Sequence, residues 1–86
     1  MRFKFSQHAR QELKRRNIPE ELVESVLHNP QQIVPQSQGK KVYQSKMALG
    51  GGNFFLLRAI VVDEVDPAVV VTVYRTKKIS KYWRLA

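Results

Sequence analysis

Few residues in this sequence are suited to acid–base chemistry. The 86 residues include two histidines and no cysteine, which excludes a thiol nucleophile and a thiolate zinc site. His8 falls in the first turn of a predicted helix, where the positive end of the helix dipole disfavours the imidazolium cation. A neutral imidazole can act as a general base or acid on RNA, whereas the simpler interpretation is a solvated polar residue. His28 is interpreted as structural, and we predict no metal site and no cofactor.

A second candidate comes from a predicted strand, FFLLRAIVV at residues 54–62. Successive side chains of a strand point to opposite faces. One face of this strand is apolar throughout, and the other carries Arg58. Helices should cover the apolar face, and covering it fixes the register with the next strand, because a slip by one residue would bury Arg58. The opposite face then presents a guanidinium, which can make bidentate contacts with phosphate.

The next predicted strand, VVVTVYR at residues 69–75, adds two more candidates. Its alternation groups Thr72 and Tyr74 with Val70 and separates them from the other valines. If the two strands pair so that their apolar faces coincide, Thr72 and Tyr74 lie on the same face as Arg58. Thr72 would position a phosphate, and Tyr74 would stack a base or donate a proton. The simpler interpretation is a half-exposed antiparallel sheet that carries such residues for their β-propensity.

The elements that must position these residues follow from periodicity and from capping residues. Residues 2–5 alternate as a short strand, and Ser6 is a plausible N-cap of a helix that Asn17 can end in a left-handed conformation. Pro19 is predicted as the first residue of a second helix, which an Asn-Pro pair ends at residues 29–30.

The rest of the chain reads as strands. QQIVP and KKVYQSK flank a turn, with the proline confining the first to a sheet edge or strand end. MALGGGN reads as a flexible connection, and the tail TKKISKYWRLA as a short helix or irregular strand. The predicted fold is α+β: a short N-terminal strand, two helices and a four-strand antiparallel meander (β-α-α-β-β-β-β), with both helices on one sheet face. The length predicts a single domain over residues 1–86.

The charge favours polyanionic partners. Fifteen Lys and Arg against seven Asp and Glu give a net charge of +8. Basic residues interleaved with aromatics suit single-stranded nucleic acid, although Trp83 could equally close a small core. The predicted nucleic-acid-binding residues are Arg15, Arg16, Lys40, Lys41, Arg75, Lys77, Lys78, Lys81, Tyr82, Trp83 and Arg84. The alternative is a small protein kept soluble by its charge.

Other functional classes lack their sequence signals. The start MRFKFSQHAR has no apolar signal-peptide core, and no apolar run reaches the length of a membrane span. LGGGN lacks the Lys-Ser/Thr of a phosphate-binding loop. The second helix is acidic and unsuited to a DNA groove. We therefore expect a cytoplasmic protein without membrane partners.

The stretch FSQHARQELKRRNIPEELVESVLHNPQQIV resembles the N-terminal half of the proteins catalogued as domain of unknown function 4258. Their pattern is roughly F-S-x-H-A-x-x-R-x-x-x-R-x-I, followed by an acidic helix ending in Asn-Pro. The closing VVVTVYRTKKISKYW resembles their C-terminal strand. The match spans most of the chain, and its middle is the least specific part.

The resemblance implies a compact α+β domain similar to RelE/ParE-type and BrnT-type toxins, a superfamily that contains ribonucleases. Such toxins are basic and are neutralised by an acidic or DNA-binding antitoxin. His8, Arg16 and the strand of Thr72 and Tyr74 are the positions carried over. Glu12 stands where relatives often have arginine, so Arg10 or Lys14 would have to replace any phosphate contact of that arginine.

Two functional hypotheses follow. The first is a toxin-like endoribonuclease that cleaves free or ribosome-bound RNA without a metal. In it His8 transfers protons, Arg58 and Arg75 stabilise the phosphate, and Thr72 and Tyr74 assist. The second is a non-catalytic basic module that binds nucleic acid or an acidic protein. The position of His8 discriminates between them, because catalysis requires it near Arg58, Thr72 or Tyr74.

Overall fold

The structure is a computed structural model that describes residues 1–85; Ala86, the last residue of the predicted domain, lies outside the described residues. The elements are β1 (Phe3–Phe5), α1 (Gln7–Arg15), α2 (Glu20–His28), β2 (Gln32–Pro35), β3 (Lys40–Gly50), β4 (Asn53–Val62), β5 (Ala68–Thr76) and α3 (Ile79–Tyr82). The predicted α+β class and element order are confirmed. The tail takes the helical alternative in its short α3.

The strands form one five-stranded sheet in the order β1-β5-β4-β3-β2. Strands β2 to β5 are antiparallel neighbours, as the predicted meander requires. The sheet is mixed, because β1 pairs in parallel with β5 through Phe3–Phe5 and Ala68–Val70. At the other edge β2 ends in Pro35, which has no N–H to offer another strand.

Helices α1 and α2 pack on one face of this sheet, which we call the inner face. The core joins Ala9 and Leu13 of α1 and Val23 of α2 to Leu57 and Ala59 of β4. The apolar side of β4 therefore faces the helices, as predicted. We call the opposite side of the sheet the outer face.

Local signals explain where the helices begin and end. The Ser6 hydroxyl accepts a hydrogen bond from the Ala9 N–H (3.0 Å) and donates one to the Val71 carbonyl (2.9 Å). Asn17 has a φ of 56°, in the left-handed region. The second helix begins at Glu20, so Pro19 is its N-cap residue rather than its first helical residue.

Two details of the sheet differ from the predictions. The stretch MALGGGN is largely strand, because β3 continues to Gly50 and pairs with β4 up to Asn53, which leaves a two-glycine turn. A register shift between Ile60 and Val61 also inserts one residue into β5. This bulge turns Val70 into the core with Val73, whereas simple alternation placed Val70 with Thr72.

Candidate nucleic-acid interface

Arg58 lies at the centre of the outer face and is buried, with 4% of its surface exposed. The sheet register places it directly between Gln44 of β3 and Tyr74 of β5. Its Nε donates to the Gln44 Oε1 (2.9 Å), and its Nη1 donates to the Tyr74 hydroxyl. The pattern correctly placed Arg58, Thr72 and Tyr74 on one face, but that face is covered around the arginine.

The cover is a segment that we call the strap, residues 79–85, which includes α3. It crosses the outer face from β5 to β2. Tyr82 packs edge-to-face on Tyr74 and lies over the Arg58 guanidinium, 4.2 Å from guanidinium carbon to ring centre. The Tyr82 carbonyl accepts from the Gln44 Nε2 at 3.3 Å. The strap thus contributes an aromatic wall to the Arg58 environment.

The far end of the strap is held through its backbone. The Gln32 side chain accepts a hydrogen bond from the Arg84 N–H (3.1 Å) and donates one to the Arg84 carbonyl. Gln44 joins this contact to the centre of the face, because its Nε2 also donates to the Gln32 Oε1 at 2.8 Å. A continuous chain of amide hydrogen bonds therefore links Arg58 to the strap.

Two neighbouring aromatic rings of the strap each contact a lysine. The Lys46 Nζ lies 4.0 Å from the centre of the Trp83 ring, and the Lys81 Nζ lies 5.2 Å from that of Tyr82. Both lysines are exposed, while both rings are partly exposed. Aromatic rings flanked by cations can contact bases and phosphates of a single strand.

Charge is distributed unevenly between the two sides of the sheet. Residues 25–62 and 67–86 contain no Asp or Glu, yet they hold nine basic residues: Lys40, Lys41, Lys46 and Arg58 in the first range, and Arg75, Lys77, Lys78, Lys81 and Arg84 in the second. All seven acidic residues lie on α1, on α2 or between β4 and β5. Lys41 and Arg75 point to the inner side, and the other seven lie on the outer strand faces, in the strap or just before it, with no carboxylate among these segments.

A comparison with protein families assigns the chain to one of them. The family model described as Domain of unknown function (DUF4258) matches residues 5–75. The chain belongs to this family. No curated protein and no solved structure matches the chain. The similarity of this DUF4258 member to RelE/ParE-type and BrnT-type toxins stays a prediction.

His8, which opens the family-like stretch of this DUF4258 chain, lies away from the Arg58 cluster. It is exposed on α1, and α1 buries Ala9 and Leu13 against the inner face. The sheet therefore lies between α1 and the outer face that carries Arg58 and Tyr74. The structure does not bring His8 together with the other three predicted catalytic residues.

The predicted nucleic-acid-binding residues divide between the two sides. The outer side holds Lys40 and the strap residues Lys81, Tyr82, Trp83 and Arg84, and the exposed Lys77 and Lys78 lead into the strap. Four others are placed differently. Arg75 pairs with Leu57 in the register and so points to the inner side.

The other three are engaged by carboxylates. Lys41 contacts Asp63 (Nζ to Oδ1, 3.1 Å), and Arg15 and Arg16 both contact Glu12 at 2.8–2.9 Å. Glu12, the departure from the family-like pattern, thus anchors two arginines at the end of α1. An arginine at this position of the DUF4258 pattern would meet two cations.

Pattern reasoning missed Gln32 and Gln44. Glutamine is not typical of any one function. Gln32 and Gln44 become important only because of the residues that the neighbouring strands place beside them. A turn at Gly51 and Gly52 alone would pair Arg58 with Ser45, and only the register shift between Ala48 and Gly50 makes Gln44 its partner. The route of the strap could not be read from the same pattern.

Two kinds of feature, a membrane-spanning helix and a metal-binding cluster, are absent from residues 1–85. Residues 1–85 contain no helix long and apolar enough to cross a membrane. Within that range, no three or more His, Asp or Glu side chains are grouped closely enough to hold a metal ion.

Proposed function

We propose that this protein is a non-catalytic module that binds single-stranded RNA through its strap and outer face. The observation that carries the proposal is the pairing of Lys46 with the Trp83 ring and of Lys81 with the Tyr82 ring, on a side of the sheet without carboxylates. Ammonium groups would contact phosphates, and the rings would stack on bases. The aromatic component favours nucleic acid over an acidic protein as the partner.

The test is fluorescence anisotropy with a labelled single-stranded RNA at several salt concentrations. We expect Lys81→Ala to weaken binding and to reduce the slope of log K against log salt by about 1, because one phosphate contact is lost. Trp83→Ala should weaken binding by about 1–3 kcal/mol through lost stacking. Lys14→Ala is the matched control, since it removes an exposed positive charge from α1 on the helix side.

Equal weakening by Lys14→Ala and Lys81→Ala would reduce the interaction to net charge and contradict a defined interface. Absence of binding by the wild type at low salt would contradict the proposal as a whole. A double-stranded competitor of the same sequence should compete poorly, because its bases are not available for stacking.

RNA cleavage is the second candidate, and the hydrogen bond between Arg58 and Tyr74 is the observation that favours it. A guanidinium beside a phenol can stabilise a charged phosphate and supply a proton. Gel analysis of the same RNA, with and without ribosomes and in chelator, separates cleavage from binding. We expect intact RNA; cleavage abolished by Tyr74→Phe, but retained by His8→Ala, would favour the enzyme. A toxin role with an acidic antitoxin belongs to this second candidate.

A further inference from the structure

Arg58 is a buried cation without a buried anion. Its hydrogen-bond acceptors are the Gln44 amide and the Tyr74 hydroxyl, and its other neighbour is the Tyr82 ring. All three groups are neutral. Within residues 1–85, no carboxylate forms a salt bridge with it. Burying an ionised group is costly unless an opposite charge compensates it, so the cluster is electrostatically incomplete.

The carboxylate side chains of residues 1–85 do not supply the missing charge. Four of the seven acidic residues are already held in salt bridges, Glu12, Glu20, Asp63 and Asp66, and Glu24 contacts the His28 ring. Glu21 and Glu64 lie on α2 and in the β4–β5 connection. None of the seven lies in a strand of the outer face or in the strap. An anionic ligand would supply the charge that these side chains do not.

The guanidinium has donors left for such an anion. It has five N–H groups, and the protein uses Nε and one N–H of Nη1. Nη2 has no protein partner within residues 1–85. It also keeps some contact with solvent, because no fully buried side-chain nitrogen or oxygen in that range lacks a partner. A planar fork of this kind fits two oxygens of a phosphate.

The strap is the element that limits access, and it is weakly held. Its helix α3 is a single turn with no buried residue. No salt bridge within residues 1–85 fixes the strap to the sheet. Its attachments are the amide contacts of Gln32 and Gln44, the edge-to-face contact of Tyr82 with Tyr74, and the cation–aromatic contacts of Arg58 and Lys46. Segments with few buried contacts open at low free-energy cost.

We propose that Arg58, with the Tyr74 hydroxyl and the Gln44 amide, forms a latent phosphate site that the strap closes. Binding of a phosphate group moves Tyr82 from the guanidinium and releases the strap. The strap and the phosphate are thus alternative occupants of one site. Naming a backbone phosphate of single-stranded RNA as the ligand rests on the proposed function; the oxyanion chemistry stands without it.

The first test titrates the full chain with inorganic phosphate against chloride at equal ionic strength. Nitrogen-15 NMR of the arginine Nε–H groups reports on Arg58. The fluorescence of Trp83, the only tryptophan, reports on the strap. We expect a saturable shift of the Arg58 signal together with a change in tryptophan emission. A chloride response of equal size would overturn the proposal.

Variants decide whether Arg58 is the receptor. Arg58→Met keeps an unbranched side chain and removes the uncompensated charge, so its melting temperature in chloride should be unchanged or higher. It should lose both phosphate responses. Arg10→Met is the matched control, because Arg10 is exposed on α1, and it should keep both. A phosphate response retained by Arg58→Met would contradict the proposed site.

Arg58→Lys is the second variant, for the case that Arg58→Met melts much lower than the wild type. It keeps the charge but lacks the fork, so it should bind phosphate at least several-fold more weakly than the wild type. Equal binding would overturn the assignment.

The strap is tested by Gln32→Ala, which removes the hydrogen bonds that hold Arg84. We expect phosphate to bind at least about fivefold more tightly, because the closed strap loses both hydrogen bonds of Gln32 to Arg84. Weaker binding would show that the strap supports the site rather than competes for it.

RNA measurements separate the two proposals. RNA binding that depends on Lys81 but not on Arg58 refutes only the phosphate site. A phosphate response without any RNA binding refutes only the proposed function.

Discussion

Glu12 and Arg58 are the two ionisable residues of opposite charge that this fold buries, and it stabilises them differently. Glu12 lies between the guanidinium groups of Arg15 and Arg16 and has full compensation. Arg58 has only neutral partners. The first arrangement is complete within the chain, whereas the second is open to a ligand. This contrast makes Glu12 a structural residue and Arg58 a functional candidate.

The Glu12 cluster predicts a stability loss in acid. Hydrogen bonds from Arg15 and then from Arg16 lower the pKa of Glu12 from 4.5 to about 2. Because the folded-state pKa is depressed, the contribution is complete above pH 4.5 and is lost as the pH falls towards 2. In urea unfolding followed over this range, Glu12→Gln should show a smaller fall in midpoint than the wild type. Glu21→Gln, an exposed change on α2, is the control, and an identical fall in Glu12→Gln would contradict the prediction.

Tyr43 predicts the opposite pH dependence. Burial, followed by its hydrogen bond to Asp63 (2.7 Å), raises the pKa of Tyr43 from 10.0 to about 12. The raised pKa means that this stabilisation is complete below pH 10 and is lost as the pH rises towards 12. Phenolate absorbance should show one of the three tyrosines titrating last, and Tyr43→Phe should abolish that step. At neutral pH Tyr43→Phe should lower the free energy of unfolding by about 1–2 kcal/mol. Tyr82→Phe is the control for the absorbance measurement and should not remove the late step.

At the scale of elements, the start of α1 is coupled to the far end of the chain. Ser6 both caps α1 and donates to the carbonyl of Val71, which the β-bulge leaves available beside β1. One hydroxyl thus satisfies an orphan N–H of the helix and a carbonyl of the sheet. In the strap, likewise, a side chain replaces a backbone partner, because the Gln32 amide bonds to both backbone groups of Arg84.

The double role of Ser6 predicts a larger loss than that of a simple surface serine. Ser6→Ala should lower the unfolding free energy by about 1–2 kcal/mol, since it removes the cap and leaves the Val71 carbonyl without this donor. Chemical denaturation followed by circular dichroism measures the change. Ser25→Ala is the matched control, because its hydroxyl bonds only to the Leu22 carbonyl of its own helix on the surface. It should change stability by less than about 0.5 kcal/mol, and equal losses would refute the coupling.

Local signals predicted much of the fold and part of the candidate site. Capping by Ser6, the left-handed Asn17 and the inward side of β4 all follow from near neighbours in the chain. The bulge that turns Val70 inward does not, since only pairing with β4 reveals it. The burial of Arg58 was also missed, because its cover is a segment more than 20 residues later whose route depends on Gln32 and Gln44.

On the scale of the whole molecule, the sheet separates two electrostatic environments. The helix layer contains Glu12 and the acidic turn of α2, largely neutralised by neighbouring basic groups. The outer side contains the strap, Lys46 and Arg58 without a carboxylate. A polyanion approaching the molecule would therefore be attracted to one side. This polarity orients binding, independently of which contact fixes the ligand.

The parallel pairing of β1 with β5 also sets an order of events during synthesis. Strands β2 to β5 are sequential neighbours and can pair as each emerges from the ribosome. β1 is made first, but its partner residues Ala68–Val70 come much later; the Ser6–Val71 contact spans 65 positions. Closing so long a loop is entropically costly and slow. The strand β1 and the helix α1 are therefore made before the strand on which they dock, and they can dock only after β5 has been made.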